Sequence, residues 1–217
     1  MDAWRSLLNR ALARLDAVGV ADADWMLGGR TLLMLRYGRR TSRDIDIFVH
    51  DVQYLSLLSP RLSDAADAPR RYSEAANALR LVYAEGEIDF LAVAPVIPAA
   101  TSEPFELEGL PGGRRAVPAM PDLEIVAQKL FYRAWAFTGR DLFDFATIAR
   151  RNPAVLNDER LKRACAERRE ILKTSVDAPA CAESYAGIVE PRLDLPFEQA
   201  RETLLRWIEG LEGAASG

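Results

Sequence analysis

Apolar residues in the opening stretch "DAWRSLLNRALARLDAVG" recur at helical spacing. Trp4, Leu7, Leu8, Ala11, Leu12 and Leu15 fall on one stripe, and Gly19 supplies a stop. "DWML" is too short for a helix and predicts a strand ending at Gly28-Gly29; "RTLLMLRYG" predicts a short helix closed by Gly38. In "DIDIFVH" acids alternate with apolar residues and then give way to them, the pattern of a strand entering a core. "VQYLSLLSPRLSDAA" predicts a helix that Pro60 interrupts or ends. Two hairpins follow: "LRLVYAEGEIDFLAVAP", turning at Glu85-Gly86, and "FELEGLPGGRRAVPAM", turning at Pro111-Gly112-Gly113. From "PDLEIVAQKLFYRAWAF" onward the pattern is helical, broken near Pro153, Pro179 and Pro191–Pro196, with a frayed tail. The expectation is an α+β chain: a mixed α/β domain over 1–118, then a helical domain over 119–217.

Composition narrows this only modestly. A chain of 217 residues with 49% hydrophobic and 28% charged content is ordinary for a folded protein with a real core. Its net charge of −4 speaks against a generally basic nucleic-acid coat but not against a local basic face. Cys165 and Cys181 have neither a second Cys nor a His at metal-ligand spacing, which argues against zinc and for a reduced compartment. No apolar run reaches membrane-spanning length and "MDAWRSLLNRALARL" lacks a signal-peptide core, so the expected location is cytoplasmic, without a membrane partner.

Candidate chemistry concentrates in "GGRTLLMLRYGRRTSRDIDIF". Asp44 and Asp46, two apart on a strand, point to one face and repel unless a cation lies between them. Hard divalent ions take such oxygen ligands and bridge to phosphates. Asp89 interrupts the apolar run of a second strand, with Glu87 on its side. The competing readings are a solvated edge or turn for Asp44 and Asp46, and an outward hairpin position for Asp89; the combination favours a metal site. Gly28 and Gly29 before a helix allow backbone N–H groups close to a phosphate, although a plain turn is the alternative. Arg30, Arg36, Arg39, Arg40 and Arg43 form a cluster with no acid among them, suited to a polyphosphate or an RNA backbone; for Arg36 and Arg39 a solvated helix face is favoured.

This segment resembles motif I of the polymerase-β-type nucleotidyltransferases and is most similar to the AbiEii/AbiGii toxin family pattern G-G-T-x-L, a spacer, then R-x-S-x-D-I/L-D. Gly28, Gly29, Leu32, Arg40, Ser42, Asp44, Ile45 and Asp46 match it, while Arg30 displaces the hydroxyl residue by one position, to Thr31. Downstream, "AQKLFYRAWAFTGRDLFDF" resembles the family's lysine helix and R-D-x-x-D segment through Lys129, Arg133, Arg140, Asp141 and Asp144. If helical, Lys129 and Arg133 share a face, and the acids of "RDLFDF" also suit a helix N-terminus. The resemblance covers about residues 25–150. It implies a nucleotidyltransferase-like mixed β-sheet with flanking helices followed by a helical lobe. It also implies transfer of a nucleoside monophosphate from an NTP to a hydroxyl acceptor with Mg²⁺, or Mn²⁺ in its place. The metal would be held by Asp44, Asp46 and Asp89, and the triphosphate by Gly28, Gly29, Thr31, Arg40 and Ser42. Lys129 would neutralise phosphate charge, with Asp141 positioning it or the base. RNA such as the tRNA acceptor end is the implied acceptor, and a cognate antitoxin the implied partner.

Two rivals stand beside this: the same chemistry on an aminoglycoside, which the acidic charge suits, and a degenerate fold that binds without turnover. Several conspicuous residues carry plainer expectations. His50 ends a strand and packs or caps there; Trp4, Trp25, Trp135 and Trp207 fill the core; "ERLKRACAERREILK" is a solvated helix because its acids alternate with its bases.

Overall fold

The computed structural model describes residues 3–38, 43–62, 68–98, 100–110, 113–188 and 193–211. The chain divides into two compact units. The first runs to Met120 apart from two short excursions; the second comprises 121–217 together with the segments around Tyr37 and Val96.

In the first unit α1 (Ala3–Ala17) buries Leu7, Leu8, Ala11, Leu12 and Leu15, the stripe read from the periodicity. β1 (Trp25–Gly28) leads directly into α2 (Gly29–Tyr37), and β2 (Asp44–Val49) returns beside β1. α3 (Gln53–Leu58) ends before Pro60, which starts a 3₁₀ turn. The strands β3 (Arg71–Ala75), β4 (Ala78–Val82), β5 (Glu87–Leu91), β6 (Glu103–Leu110) and β7 (Gly113–Ala119) complete a mixed sheet of order β3-β4-β5-β2-β1-β7-β6. Both predicted hairpins are present; β3, which the sequence pattern did not reveal, adds an edge strand paired antiparallel to β4.

β2 and β5 are parallel neighbours at the middle of this sheet. Ile45, Ile47 and Val49 on β2 and Ile88 and Phe90 on β5 are all essentially buried and lie on the side where α1 packs. Alternation along a strand then sends Asp44, Asp46, Glu87 and Asp89 to the opposite face. Each buried side chain stabilises the sheet by roughly 1.5–3 kcal/mol relative to exposure. A one-residue slip would exchange the two faces, so the core that holds the isoleucines inward holds the acids outward.

The second unit is helical: α4 (Asp122–Tyr132), α5 (Gly139–Arg151), α6 (Glu159–Cys165), α7 (Arg169–Asp177), α8 (Pro179–Ala186) and α9 (Phe197–Glu209). Phe143, Phe145, Leu161, Leu172, Leu204 and Ile208 form its interior. "ERLKRACAERREILK" is not one helix but α6, a 3₁₀ turn at Ala166–Arg168, and α7. Glu124 is fully buried and accepts hydrogen bonds from the Val96 and Ile97 amides, both at 2.9 Å, tying that excursion to α4. Among the described residues no helix is long and apolar enough to cross a membrane.

Trp25 is in the core as expected, but Trp135 is 76% exposed. It follows α4 in a 3₁₀ turn in which Ala134 takes the inward position instead. His50 lies just past β2; its side chain is exposed and its amide donates to the Asp24 carbonyl at 2.9 Å.

Candidate active site

Register brings the predicted acids together. Asp44 lies opposite Glu87, and Asp46 opposite Asp89, across the parallel β2–β5 pair. Four carboxylates on one half-exposed face would repel strongly without cations, and arginines supply them. Arg30 Nη2 lies 2.5 Å from Asp44 Oδ2. Arg80, directly cross-strand from Asp89 on β4, donates to both its oxygens, at 2.7 and 3.0 Å, and lies 3.5 Å from Glu87. The carboxylate contact with Asp89 raises the Arg80 pKa further above its already high value.

Glycine is required at the mouth of α2. Gly29 has φ +62°, and a Cβ there would lie 1.9 Å from Asp46 Oδ2. At Gly28, which pairs with Asp46, a Cβ would strike the Phe48 ring at 2.5 Å. The Asp46 carboxylate thus sits against the start of α2, where the Arg30 amide donates to it at 3.4 Å. The glycine pair makes room for an acid at the start of α2.

Thr31 is fully buried, and its hydroxyl donates to the backbone carbonyl of Asp44. That corrects the reading of Thr31 as a phosphate donor: one position after Arg30, its side chain turns into the core and pins β2. Arg36 is corrected too, since its side chain is only 12% exposed and pairs with Glu103 at 3.3 Å. Arg39, Arg40 and Ser42 lie outside the described residues.

Among the described residues no three or more His, Cys, Asp or Glu side chains are gathered as a metal cage. Asp44, Asp46 and Asp89 are aligned by register, and two of them are ion-paired, Asp44 with Arg30 and Asp89 with Arg80. The donor set still fits Mg²⁺, which is commonly held by one or two carboxylates and completes its shell with water and substrate phosphate.

In the second unit Lys129 on α4 is almost buried and lies 2.9 Å from both Asp141 Oδ1 and Asp144 Oδ2 on α5. Arg133, the residue closing α4, reaches Asp141 Oδ2 at 3.0 Å, so the i, i+4 pair does share a face. Asp141 also completes a capping box with Thr138, accepting from its hydroxyl at 2.8 Å and its amide at 3.2 Å. Burial alone would raise the Asp141 pKa; Lys129 and Arg133 reverse this and hold it at about 2. For Lys129 burial acts downward, but the Asp144 and Asp141 charges outweigh it, and the ammonium is held charged. The helix-terminus reading of "RDLFDF" is realised, and the same carboxylate also carries the ion pairs with Lys129 and Arg133.

Arg80 escaped the sequence reading, and Asp144 entered it only as part of the R-D-x-x-D segment, without a role of its own. Arg80 faces Asp89 because the β4–β5 pairing centres on Ala84-Glu85; the expected turn at Glu85-Gly86, one residue later, would have set Arg80 opposite Leu91. Asp144 stands one helical turn after Asp141, on the face that meets Lys129.

Comparison with known proteins accords with this architecture. MenT4, a nucleotidyltransferase toxin from Mycobacterium tuberculosis H37Rv, superposes with a TM-score of 0.59 at 18% identity, covering 98% of this chain and 87% of that one. The antibiotic-resistance factor ANT(2'')-Ia gives 0.51 at 16% identity over 78% of this chain and 94% of that one. No curated protein matches the chain in sequence. The fold is that of a nucleotidyltransferase. The family model for the nucleotidyl transferase AbiEii toxin of type IV toxin–antitoxin systems matches residues 10–207, and the chain belongs to that family.

Proposed function

We propose that this nucleotidyltransferase toxin moves a nucleoside monophosphate from an NTP to a hydroxyl of RNA, such as the tRNA acceptor end, in a Mg²⁺-dependent reaction, and that a cognate antitoxin opposes it. The observation carrying this reading is the register that aligns Asp44, Asp46 and Asp89 on one face of β2 and β5, beside the glycine-lined start of α2.

Asp44 and Asp46 would hold the metal, which would supply Lewis-acid stabilisation of the charge that develops at the phosphate. Asp89, opposite Asp46, completes the set or receives the proton of the attacking hydroxyl. The hydroxyl oxygen bonds to the α-phosphorus, the bond to the bridging oxygen of the β-phosphate breaks, and pyrophosphate leaves. Backbone N–H groups at Gly28 and Gly29 receive the triphosphate, with Arg40 and Ser42 as further donors. Thr31 contributes indirectly, by fixing Asp44 through its carbonyl. Lys129 neutralises phosphate charge and Asp141 positions it. The buried ion pairs keep that lysine protonated at neutral pH.

A second acceptor, a polycationic aminoglycoside, is favoured by the net charge of −4 and by the likeness to a resistance factor. One labelling experiment separates the two. Purified protein with Mg²⁺ receives each α-labelled NTP in turn, with total tRNA or an aminoglycoside panel, beside Asp44→Ala and Asp46→Ala proteins. Label on RNA that disappears in both variants supports the proposal. Label on the drug moves the assignment to resistance chemistry, and label on neither leaves a binding fold without turnover on these acceptors.

A further inference from the structure

The loop that joins α4 to α5 is built to hold an aromatic ring in solvent. The stretch "LFYRAWAFTGR", 130–140, contains four aromatics and two arginines and no acid, in a chain whose net charge is −4. Trp135 is 76% exposed, the most exposed large apolar side chain among the described residues, and Tyr132 is 47% exposed. Their exposure does not come from a loose loop. Asp141 clasps both ends of it, accepting from Arg133 Nε at 3.0 Å on one side and from Thr138 Oγ1 at 2.8 Å on the other. Ala134 and Phe137 are buried beneath, and Ser175 Oγ donates to the Ala134 carbonyl at 2.8 Å. The Tyr132 ring stands edge-on to Phe131 with centroids 5.1 Å apart, and the Arg168 guanidinium covers Phe131 at 4.6 Å. Arg133 is 52% exposed and Arg140 is also exposed.

The chemistry of the surface selects its occupant. Among the described residues the exposed large aliphatics, Val52, Leu57 and Leu62, all belong to the first unit; the second unit exposes only aromatic ones. Flat π-faces flanked by guanidinium groups complement stacked bases on a phosphate backbone. An aliphatic protein partner would instead meet isolated rings ringed by positive charge. We propose that Trp135 and Tyr132, with Arg133 and Arg140, form a platform on which single-stranded RNA stacks. This rests on the RNA reading above and adds where the acceptor strand is gripped. The grip is sequence-tolerant, because every base offers a π-face.

The test is binding rather than turnover: fluorescence anisotropy of a short 5′-labelled single-stranded oligoribonucleotide across a salt series. Trp135→Ala is expected to weaken binding by about five-fold to a hundred-fold, the loss of one stacked base, with the melting temperature unchanged. Trp135→Phe is expected to retain most of the affinity. Arg140→Ala is expected to lower the slope of log affinity against log salt by about 0.7, one phosphate contact, whereas Trp135→Ala leaves that slope intact. Unaltered affinity in Trp135→Ala, while the parent protein binds RNA, overturns the platform and leaves the RNA acceptor standing. Equal loss in Trp135→Phe and Trp135→Ala also overturns stacking. Failure of the parent protein to bind the oligoribonucleotide or tRNA overturns both proposals together.

Discussion

Replacing Asp141 by Asn keeps the size and part of the cap but removes the charge that Lys129 and Arg133 share. The ionised carboxylate is favoured in the fold by the difference between 3.8 and about 2, which at about 1.4 kcal/mol per unit is roughly 2 kcal/mol. The variant also strands partners in a nearly buried position, and breaking such a pair costs about 3–5 kcal/mol in total. For a protein of this size that is a fall in melting temperature of about 6–20 °C at neutral pH. The pH dependence follows from the direction of the shift. A depressed carboxylate pKa stabilises the fold above the unfolded value near 3.8; that stability is lost as pH falls through about 2. The gap between parent and Asp141→Asn is therefore expected to be full at pH 5 and above and to close between about pH 4 and 2. Paired thermal melts across that range measure it. Equal melting temperatures at neutral pH, or a gap that persists undiminished in acid, would refute the claim that the cluster is held by this charge.

Other expectations follow from the first unit. Gly29→Ala places a methyl against the Asp46 carboxylate at a left-handed φ, so it should cost more than about 1 kcal/mol in urea melts and depress transfer with it. Retained stability and activity would mean that Asp46 has room to move. Thr31→Val leaves the Asp44 carbonyl without its buried donor, and a loss of about 1–3 kcal/mol is expected; an unchanged urea midpoint would remove Thr31 from the positioning of β2. Arg80→Gln takes away the cation held by Asp89 and Glu87, at a site half open to water, so stability should change by less than about 1 kcal/mol. The Mg²⁺ concentration giving half of the NTP-dependent thermal shift should fall, and a rise would show that Arg80 supports the metal site instead of competing with it.

The two strands that carry the aligned acids were legible because each has one apolar face. "DIDIF" and "EIDFL" alternate, and α1 supplies the core that fixes which face is which. β3 was not legible: all five of its residues are exposed, and only backbone pairing with β4 makes "RYSEA" a strand. Nor does local pattern reveal that β2 lies between β1 and β5, or that β1 meets β7 in parallel, since those pairings join distant segments. Thr31 and Trp135 show the limit of reading residue types. A hydroxyl beside a glycine pair resembles a ligand donor until one helical step turns it inward, and a tryptophan resembles core until the helix ends three residues before it. The Lys129, Arg133 and Asp141 association, in contrast, follows from helical spacing alone once α4 and α5 are opposed.

The central claim is that the β2 acids carry the transfer, and Asp46 tests it most directly because its carboxylate sits at the start of α2. Single-turnover transfer from α-labelled NTP to total tRNA would be measured at saturating Mg²⁺ for the parent and for Asp46→Asn protein of matched melting temperature. The account predicts that the variant loses at least about a hundred-fold in rate. A folded Asp46→Asn protein that transfers label at nearly the parent rate would contradict it.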